Sequence, residues 1–202
     1  MSVQFPPRPD HPEEVAKIAE AFAAVVEGRA ALYVSSPLTT GQRFIDWRGS
    51  TSAPDPRDVA YPEAFRRAVF EPNRENAKAF VARLREERAD VVINPTGLPD
   101  LEGWTQRDYR SLWGEVIRRY VRLVVFRNGW EYSDGCTYEF FVAARHGVSM
   151  VFENLSPMTA EEGLGLVGTA VDEKLATGAS PEFAFAVLAA MRPENSKPTV
   201  RP

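Results

Sequence analysis

The chain has 202 residues, with 24 Lys and Arg against 28 Asp and Glu, two His and one Cys. A net charge of −4 provides no basic surplus for binding along a nucleic-acid duplex, and one Cys with two His cannot form a disulfide framework or a Cys/His zinc site. We therefore expect one soluble, mildly acidic, cytoplasmic domain that binds no duplex nucleic acid and needs no metal or cofactor.

The apolar segments are too short to anchor the chain in a membrane. The longest covers residues 183–191, whereas a spanning helix needs roughly 20 residues. The N-terminus also lacks the basic-then-apolar pattern of a secretory signal. Residues 1–12 contain four prolines and residues 193–202 contain three, so we expect a flexible tail at each end of a single domain over 13–192.

The first half of the chain opens with a helical pattern from Pro12 to Gly28, where apolar residues recur at three- and four-residue spacing. The apolar run 30–35 then predicts a strand, followed by a hydroxyl-rich loop over 35–41. Residues 42–72 contain many prolines and aspartates and keep no sustained period, apart from a short helix candidate at 62–69. We interpret this stretch as an insertion.

The second half alternates helical periods with short apolar runs that end in polar loops. The predicted elements are a helix over 73–88, a strand over 89–94, a helix over 105–119, a strand over 121–126, a helix from Asp134 to about His146, a strand over 148–152, and helices over 159–175 and 181–191.

Alternating helices and strands predict an α/β fold. The strands are rich in Val, Ile, Leu and Phe throughout, which is typical of parallel strands buried on both faces. We predict a single doubly wound, mostly parallel sheet of four to five strands with helices on both faces, similar to flavodoxin and Rossmann folds. Ligands bind at the carboxyl ends of such strands, where the polar loops 35–41, 94–97 and 128–134 should converge.

The sharpest local feature is the segment 129–139, which ends in Glu139 at the start of an apolar helix. Glu139 is the only acid between Gly135 and Gly147. Partial burial can tune such a carboxylate, and carboxylates act as nucleophiles at anomeric carbons. The alternative is a structural Glu that pairs with a neighbouring Arg or reaches solvent.

The helix start before Glu139 offers further polar groups. Ser133 or Asp134 can cap the helix, which needs no ligand. The same two side chains and the Gly135 amide also suit an anion or a sugar hydroxyl, because the first amides of a helix have no internal partners.

The loop after the first strand is a second binding candidate. Hydroxyls and one guanidinium there could bind a phosphate or a ribose, namely Ser35, Ser36, Thr39, Thr40 and Arg43. The alternative is an ordinary solvated turn. The chain has no P-loop and no G-x-G-x-x-G motif, which disfavours triphosphate and Rossmann dinucleotide binding.

Two residues from other loops complete the candidate pocket. Asn94 follows the second strand and should line the pocket. Trp130 lies in a loop and could stack on a nucleobase, whereas we interpret Trp113 and Tyr109 as core aromatics.

Four segments resemble the nucleoside 2-deoxyribosyltransferase-like superfamily. They are Leu32–Gly41, Asn76–Phe80, Val92–Pro95, and Gly129–Gly135 with its following Glu139. Their order and spacing are most similar to a domain-of-unknown-function branch related to 2′-deoxynucleoside 5′-monophosphate N-glycosidases.

The resemblance implies a mechanism and residue roles. Glu139 would attack C1′ of a ribose or deoxyribose and expel the base, leaving a glycosyl-enzyme intermediate that passes the sugar to water or to a second base. Ser133 and the Gly135 amide would lie near the 5′ group, with Asp134 assisting. A Ser at position 133 implies a phosphorylated substrate. Relatives commonly build each site with a neighbouring subunit, which implies a homodimer or larger homo-oligomer.

Two other interpretations remain open. Ser133, Cys136 and Glu139 are also similar to the catalytic helix of TIR-type NADases, which cleave the same kind of bond. The third interpretation is a catalytically inert nucleotide-binding or scaffold domain.

Overall fold

The computed structural model describes residues 5–176 and 179–192. Its four strands are β1 (Ala31–Ser35), β2 (Val91–Ile93), β3 (Val121–Phe126) and β4 (Ser149–Phe152). They form one sheet in the order β2-β1-β3-β4, and every neighbouring pair is parallel. The prediction of a single doubly wound α/β sheet is therefore confirmed, with four strands.

The helices alternate with these strands as the hydrophobic periods predict. They are α1 (Pro12–Val26), α2 (Gln42–Gly49), α3 (Tyr61–Phe65), α4 (Glu71–Glu87), α5 (Gln106–Tyr120), α6 (Asp134–Arg145), α7 (Ala160–Ala176) and α8 (Glu182–Met191). Short 3₁₀ turns cover Pro95–Gly97 and Trp130–Tyr132. No helix in the described part of the chain is long and apolar enough to span a bilayer.

Helices cover both faces of the sheet. Successive side chains of each strand point to opposite faces, so each strand contributes residues to both cores. On one face, α4 packs on a small cluster of Leu32, Val34, Phe80, Val81, Leu84, Val92 and Val125. On the other face, Ala31 and Tyr33 lie in a much larger cluster with side chains of α1, α5, α6, α7 and α8.

The first two strand connections lie on opposite faces of the sheet, and they place β2 and β3 on opposite sides of β1. The chain passes from β1 to β2 through α4 on one face, and then crosses to β3 through α5 on the other. The order therefore reverses between β1 and β3. Connections that diverge in this way open a crevice at the carboxyl ends of the two strands.

The segment 42–72 is more regular than its sequence indicates. It contains α2, α3 and a π-helical turn, Arg66–Phe70, that continues directly into α4. The aromatic rings of Phe44, Trp47 and Phe65 hold α2 against α3, with centroids 5.9–6.3 Å apart. The π turn lies just before Pro72, whose missing amide and bulky ring disrupt a regular α-helical ladder.

The N-terminal segment also differs from the prediction of a flexible tail over 1–12. The ring of Phe5 packs against Phe141 and Phe183, with centroids 4.7 and 5.6 Å away. The backbone amide of His11 donates a 2.8 Å hydrogen bond to the buried carboxylate of Asp108. Residues 5–12 are therefore packed on the fold, because contacts distant in sequence compensate for the missing local periodicity. Residues 1–4 and the predicted tail 193–202 lie outside the described residues.

A glycine on α7 permits close packing on α6. A Cβ atom at Gly163 would lie 2.2 Å from the ring of Phe140, which is fully buried. We expect Gly163→Ala to lower the free energy of unfolding by roughly 1–3 kcal/mol, because the packed ring cannot move away freely.

The matched control is Gly165→Ala in the same helix, where a Cβ atom would meet nothing within 4 Å. That change should raise stability by up to about 1 kcal/mol through helix propensity. Urea denaturation measures both, and equal effects of the two substitutions would contradict the packing argument.

Candidate functional site

A cavity of about 500 Å³ lies at the carboxyl ends of the strands, beside the reversal in strand order. Its walls come from the loops after β1 and β2, one face of α5, the first turns of α6, and two side chains near the start of α4. A cavity of this size at a topological switch point is typical of a small-molecule site.

Glu139 reaches this cavity from α6 and is only 7% exposed. Tyr33 donates its hydroxyl proton to Oε1 of Glu139 at 2.7 Å, and Ser35 donates to Oε2 at 2.6 Å. Both donors are fully buried and alternate onto the same face of β1. Each carboxylate oxygen therefore has one neutral partner that fixes its direction.

The alternative of a structural, ion-paired Glu139 is not supported. Among residues 5–176 and 179–192, no Lys, Arg or His lies within ion-pair distance of its carboxylate, and the side chain does not extend into open solvent. Burial raises the pKa of Glu139 to about 7, although the hydrogen bonds from Ser35 and Tyr33 oppose that rise. A carboxylate buried without a cation is costly, and such groups cluster at functional sites.

The start of α6 places Ser133, Asp134 and Gly135 in the same wall. Ser133 is the N-cap, and its hydroxyl oxygen accepts a long bond of 3.5 Å from the amide of Cys136. Asp134 lies 3.3 Å from the amine of Lys174. The capping interpretation of Ser133 is therefore correct, and the residue also faces the cavity.

Most of the predicted site residues come together. The cavity wall contains Ser36, Thr39, Thr40, Ser133, Asp134, Gly135 and Glu139. Ser35 lies behind the wall, where it holds Glu139. The convergence follows from the parallel sheet, because β1 and β3 end at the same edge.

Three predicted site residues lie elsewhere. Arg43 lies on the exposed side of α2, where its Nε donates to Asn73 Oδ1 at 2.9 Å. Asn94 does not line the cavity; its Oδ1 accepts from the amide and hydroxyl of Thr96 and so caps the following 3₁₀ turn. Both side chains satisfy local polar groups.

Trp130 is the third correction. Its ring is 2% exposed and packs on Phe126 and Phe140, with centroids 4.7 and 5.0 Å away. The 3₁₀ turn at 130–132 directs the ring into the core, so Trp130 cannot stack on a ligand. The aromatic residues that line the cavity are Phe70, Tyr109 and Trp113. The interpretation of Trp113 and Tyr109 as core aromatics is also correct, because Trp113 belongs to the large buried cluster and Tyr109 packs against it.

Tyr33 and Arg110 belong to the site although the sequence did not predict a role for either residue. Tyr33 reads as an ordinary strand residue, and the only signal is that it shares a strand face with Ser35. Arg110 lies on the face of α5 that also presents Gln106 and Trp113 to the cavity. The sequence shows that these three residues have the spacing i, i+4, i+7 and so share one helix face, but it does not show that this face points toward the site.

The described residues contain no group of three or more His, Cys, Asp and Glu side chains arranged to hold a metal ion. Comparisons with protein-family models, with curated proteins and with solved structures give no match to this chain. The residues of the cavity are therefore what indicates the function of this chain.

The raised pKa of Glu139 predicts a pH-dependent stability. The folded-state pKa of about 7 exceeds the usual value of the unfolded chain, 4.5. The stability present below pH 4.5 should therefore be lost as the pH rises through 7. A glutamine cannot ionise, so Glu139→Gln should not lose this stability. The free energy of unfolding of Glu139→Gln, minus that of the native protein, should therefore rise by roughly 2–4 kcal/mol between pH 4 and pH 8.

Denaturant unfolding at a series of pH values measures this difference. Glu86→Gln, an exposed position at the end of α4, serves as the matched control and should follow the native curve throughout. Parallel curves for the native protein and Glu139→Gln would contradict the proposed environment of the carboxylate.

Proposed function

We propose that the protein cleaves the N-glycosidic bond of a nucleoside or nucleoside 5′-monophosphate, with Glu139 as the nucleophile. The observation that carries this proposal is a buried carboxylate at a cavity wall, held by two neutral hydroxyls and paired with no cation among the described residues. A guanidinium partner would stabilise the negative charge and weaken its nucleophilicity, whereas hydroxyl donors orient the carboxylate and leave it reactive.

The reaction has two steps. A Glu139 carboxylate oxygen attacks C1′ of the sugar; the C1′–N bond breaks, and its electron pair leaves with the base, which takes up a proton from solvent. Water then attacks C1′ and loses a proton, and the C1′–O bond electrons return to Glu139. A second nucleobase in place of that water would give deoxyribosyl transfer.

The surroundings of Glu139 suit such a substrate. Trp113 and Tyr109 offer aromatic surface on which a nucleobase can stack. In the same cavity, Ser36, Thr39 and Thr40 offer hydroxyls that can bond to a sugar. The buried hydroxyl oxygen of Ser36 has no hydrogen-bond partner among the described residues, which favours a polar ligand at this point.

The direct test measures release of free base by chromatography and mass spectrometry. Native protein is incubated with ribo- and deoxyribonucleosides, their 5′-monophosphates and NAD, with and without an acceptor base. We expect base release by the native protein, and a loss of roughly 10³–10⁶-fold in Glu139→Gln, because the nucleophile is missing.

Glu86→Gln is the matched control and should retain full activity. Release from NAD alone would favour the TIR-like alternative. If no substrate yields base under any of these conditions, the glycosidase proposal is wrong and an inert nucleotide-binding domain is favoured.

The hydrogen bond from Tyr33 predicts a shift in the pH profile. Its hydroxyl favours the ionised form of Glu139, so Tyr33→Phe should raise the pKa of the nucleophile and move the rising limb of kcat/KM to higher pH. Tyr61→Phe, on the short helix α3, should leave the limb in place. A uniform loss of activity with no shift would mean that Tyr33 has only a structural role.

A further inference from the structure

Arg110 brings a positive charge into the cavity wall that the proposed mechanism does not use. Its side chain lines the cavity and is partly buried. Its Nε is buried and has no hydrogen-bond partner among the described residues. None of their carboxylates lies within ion-pair distance of its guanidinium either. An unsatisfied guanidinium in a binding cavity favours an anionic ligand.

The protein holds this guanidinium in place without a direct ion pair from any of the described residues. The Cζ atom of Arg110 lies 4.4 Å from the centroid of the Phe183 ring. This cation–π contact helps to orient the guanidinium. Burial lowers the pKa of Arg110, and the negative charge of Asp134 opposes that change. A guanidinium nevertheless stays protonated in proteins, and Asp134 already lies 3.3 Å from Lys174.

Arg110 and Glu139 line the same cavity, so one ligand can contact both side chains. Trp113 lies on the same face of α5, and its ring centroid is 6.0 Å from that of Tyr33, which donates to Glu139. Arg110 precedes Trp113 by three residues, or about 4.5 Å along the helix. The guanidinium and the carboxylate therefore reach the cavity from two different helices, α5 and α6.

The second cation at the cavity is a weaker candidate. Arg74 also lines the cavity, but from the start of α4, where its side chain is exposed. An exposed cation gains little from an anion because water already solvates it. Arg110 is partly desolvated and gains more from a bidentate contact.

We propose that Arg110 binds the phosphate of a nucleoside 5′-phosphate, so that the substrate is a nucleotide and not a free nucleoside. The nucleotide assignment rests on the function proposed above, whereas the phosphate contact rests on Arg110 itself. A sugar 5′-phosphate carries its anion and its anomeric carbon on one molecule, so a single ligand can contact both Arg110 and Glu139, which line the same cavity.

The test separates binding from catalysis by using Glu139→Gln protein, which binds ligand without turning it over. Isothermal titration compares deoxyribo- and ribonucleosides with their 5′-monophosphates and with inorganic phosphate. We expect each preferred monophosphate to bind about 10- to 100-fold more tightly than its nucleoside. Adding Arg110→Gln should remove that advantage and leave nucleoside affinity within about 3-fold.

Two further variants control for structure. Arg110→Lys keeps the charge but not the fork of donors and should restore part of the phosphate preference. Arg107→Gln removes an arginine from the same helix that pairs with Asp10 at 3.3 Å and does not line the cavity, so it should change neither affinity. If Arg110→Gln fails to fold, Arg110→Lys alone decides, since loss of bidentate binding must lower monophosphate affinity selectively.

Equal affinity for nucleosides and monophosphates would overturn the inference, as would an equal loss of both in Arg110→Gln. Inorganic phosphate that binds as tightly as a monophosphate would overturn the nucleotide assignment. A native protein that releases no base but shows the Arg110-dependent preference would end the glycosidase proposal and leave the phosphate contact of Arg110 standing. If nucleosides and monophosphates are cleaved at equal rates, and Arg110→Gln does not change those rates, the inference about Arg110 is wrong and the glycosidase proposal stands.

Discussion

The two hydrogen bonds from Tyr33 and Ser35 to Glu139 are the interaction on which the site depends. They join the carboxyl end of β1 to α6 at the point where the strand order reverses. Without these donors the carboxylate would be buried with no polar partner at all, which is far more costly than burial with two. The pair therefore allows an ionisable group to remain inside the fold while one side of it faces the cavity.

The fold was largely predictable because its strands are buried on both faces and its helices keep regular apolar spacing. Two segments were not. In 42–72, the aromatic contacts between α2 and α3 stabilise short helices that lack a periodic pattern of their own. In 5–12, the contacts of Phe5 and His11 reach residues about a hundred or more positions away, such as Asp108 and Phe183. Single-sequence patterns contain no information about such distant partners.

The site was predictable to the extent that topology determines it. Strand ends converge in a parallel sheet, so Thr39, Ser133 and Glu139 share a cavity. Loop location alone does not tell where a side chain points, as the buried ring of Trp130 shows. Tyr33 is the opposite case, since it occupies a buried strand position and yet carries a hydroxyl that donates to Glu139. A functional hydroxyl inside a strand that is apolar on both faces does not change the hydrophobic pattern, so the pattern cannot reveal it.

The two walls of the cavity are anchored to the fold unequally. Glu139, Trp113 and Arg110 belong to helices of the large cluster, whereas Phe70 and Arg74 belong to the helical layer around α4, which rests on a much smaller one. Free energies of local opening follow the apolar area that each unit buries. The α4 layer should therefore exchange its amide hydrogens sooner than α5 and α6. Ligand entry through that layer would leave the carboxylate and its two hydroxyl donors undisturbed.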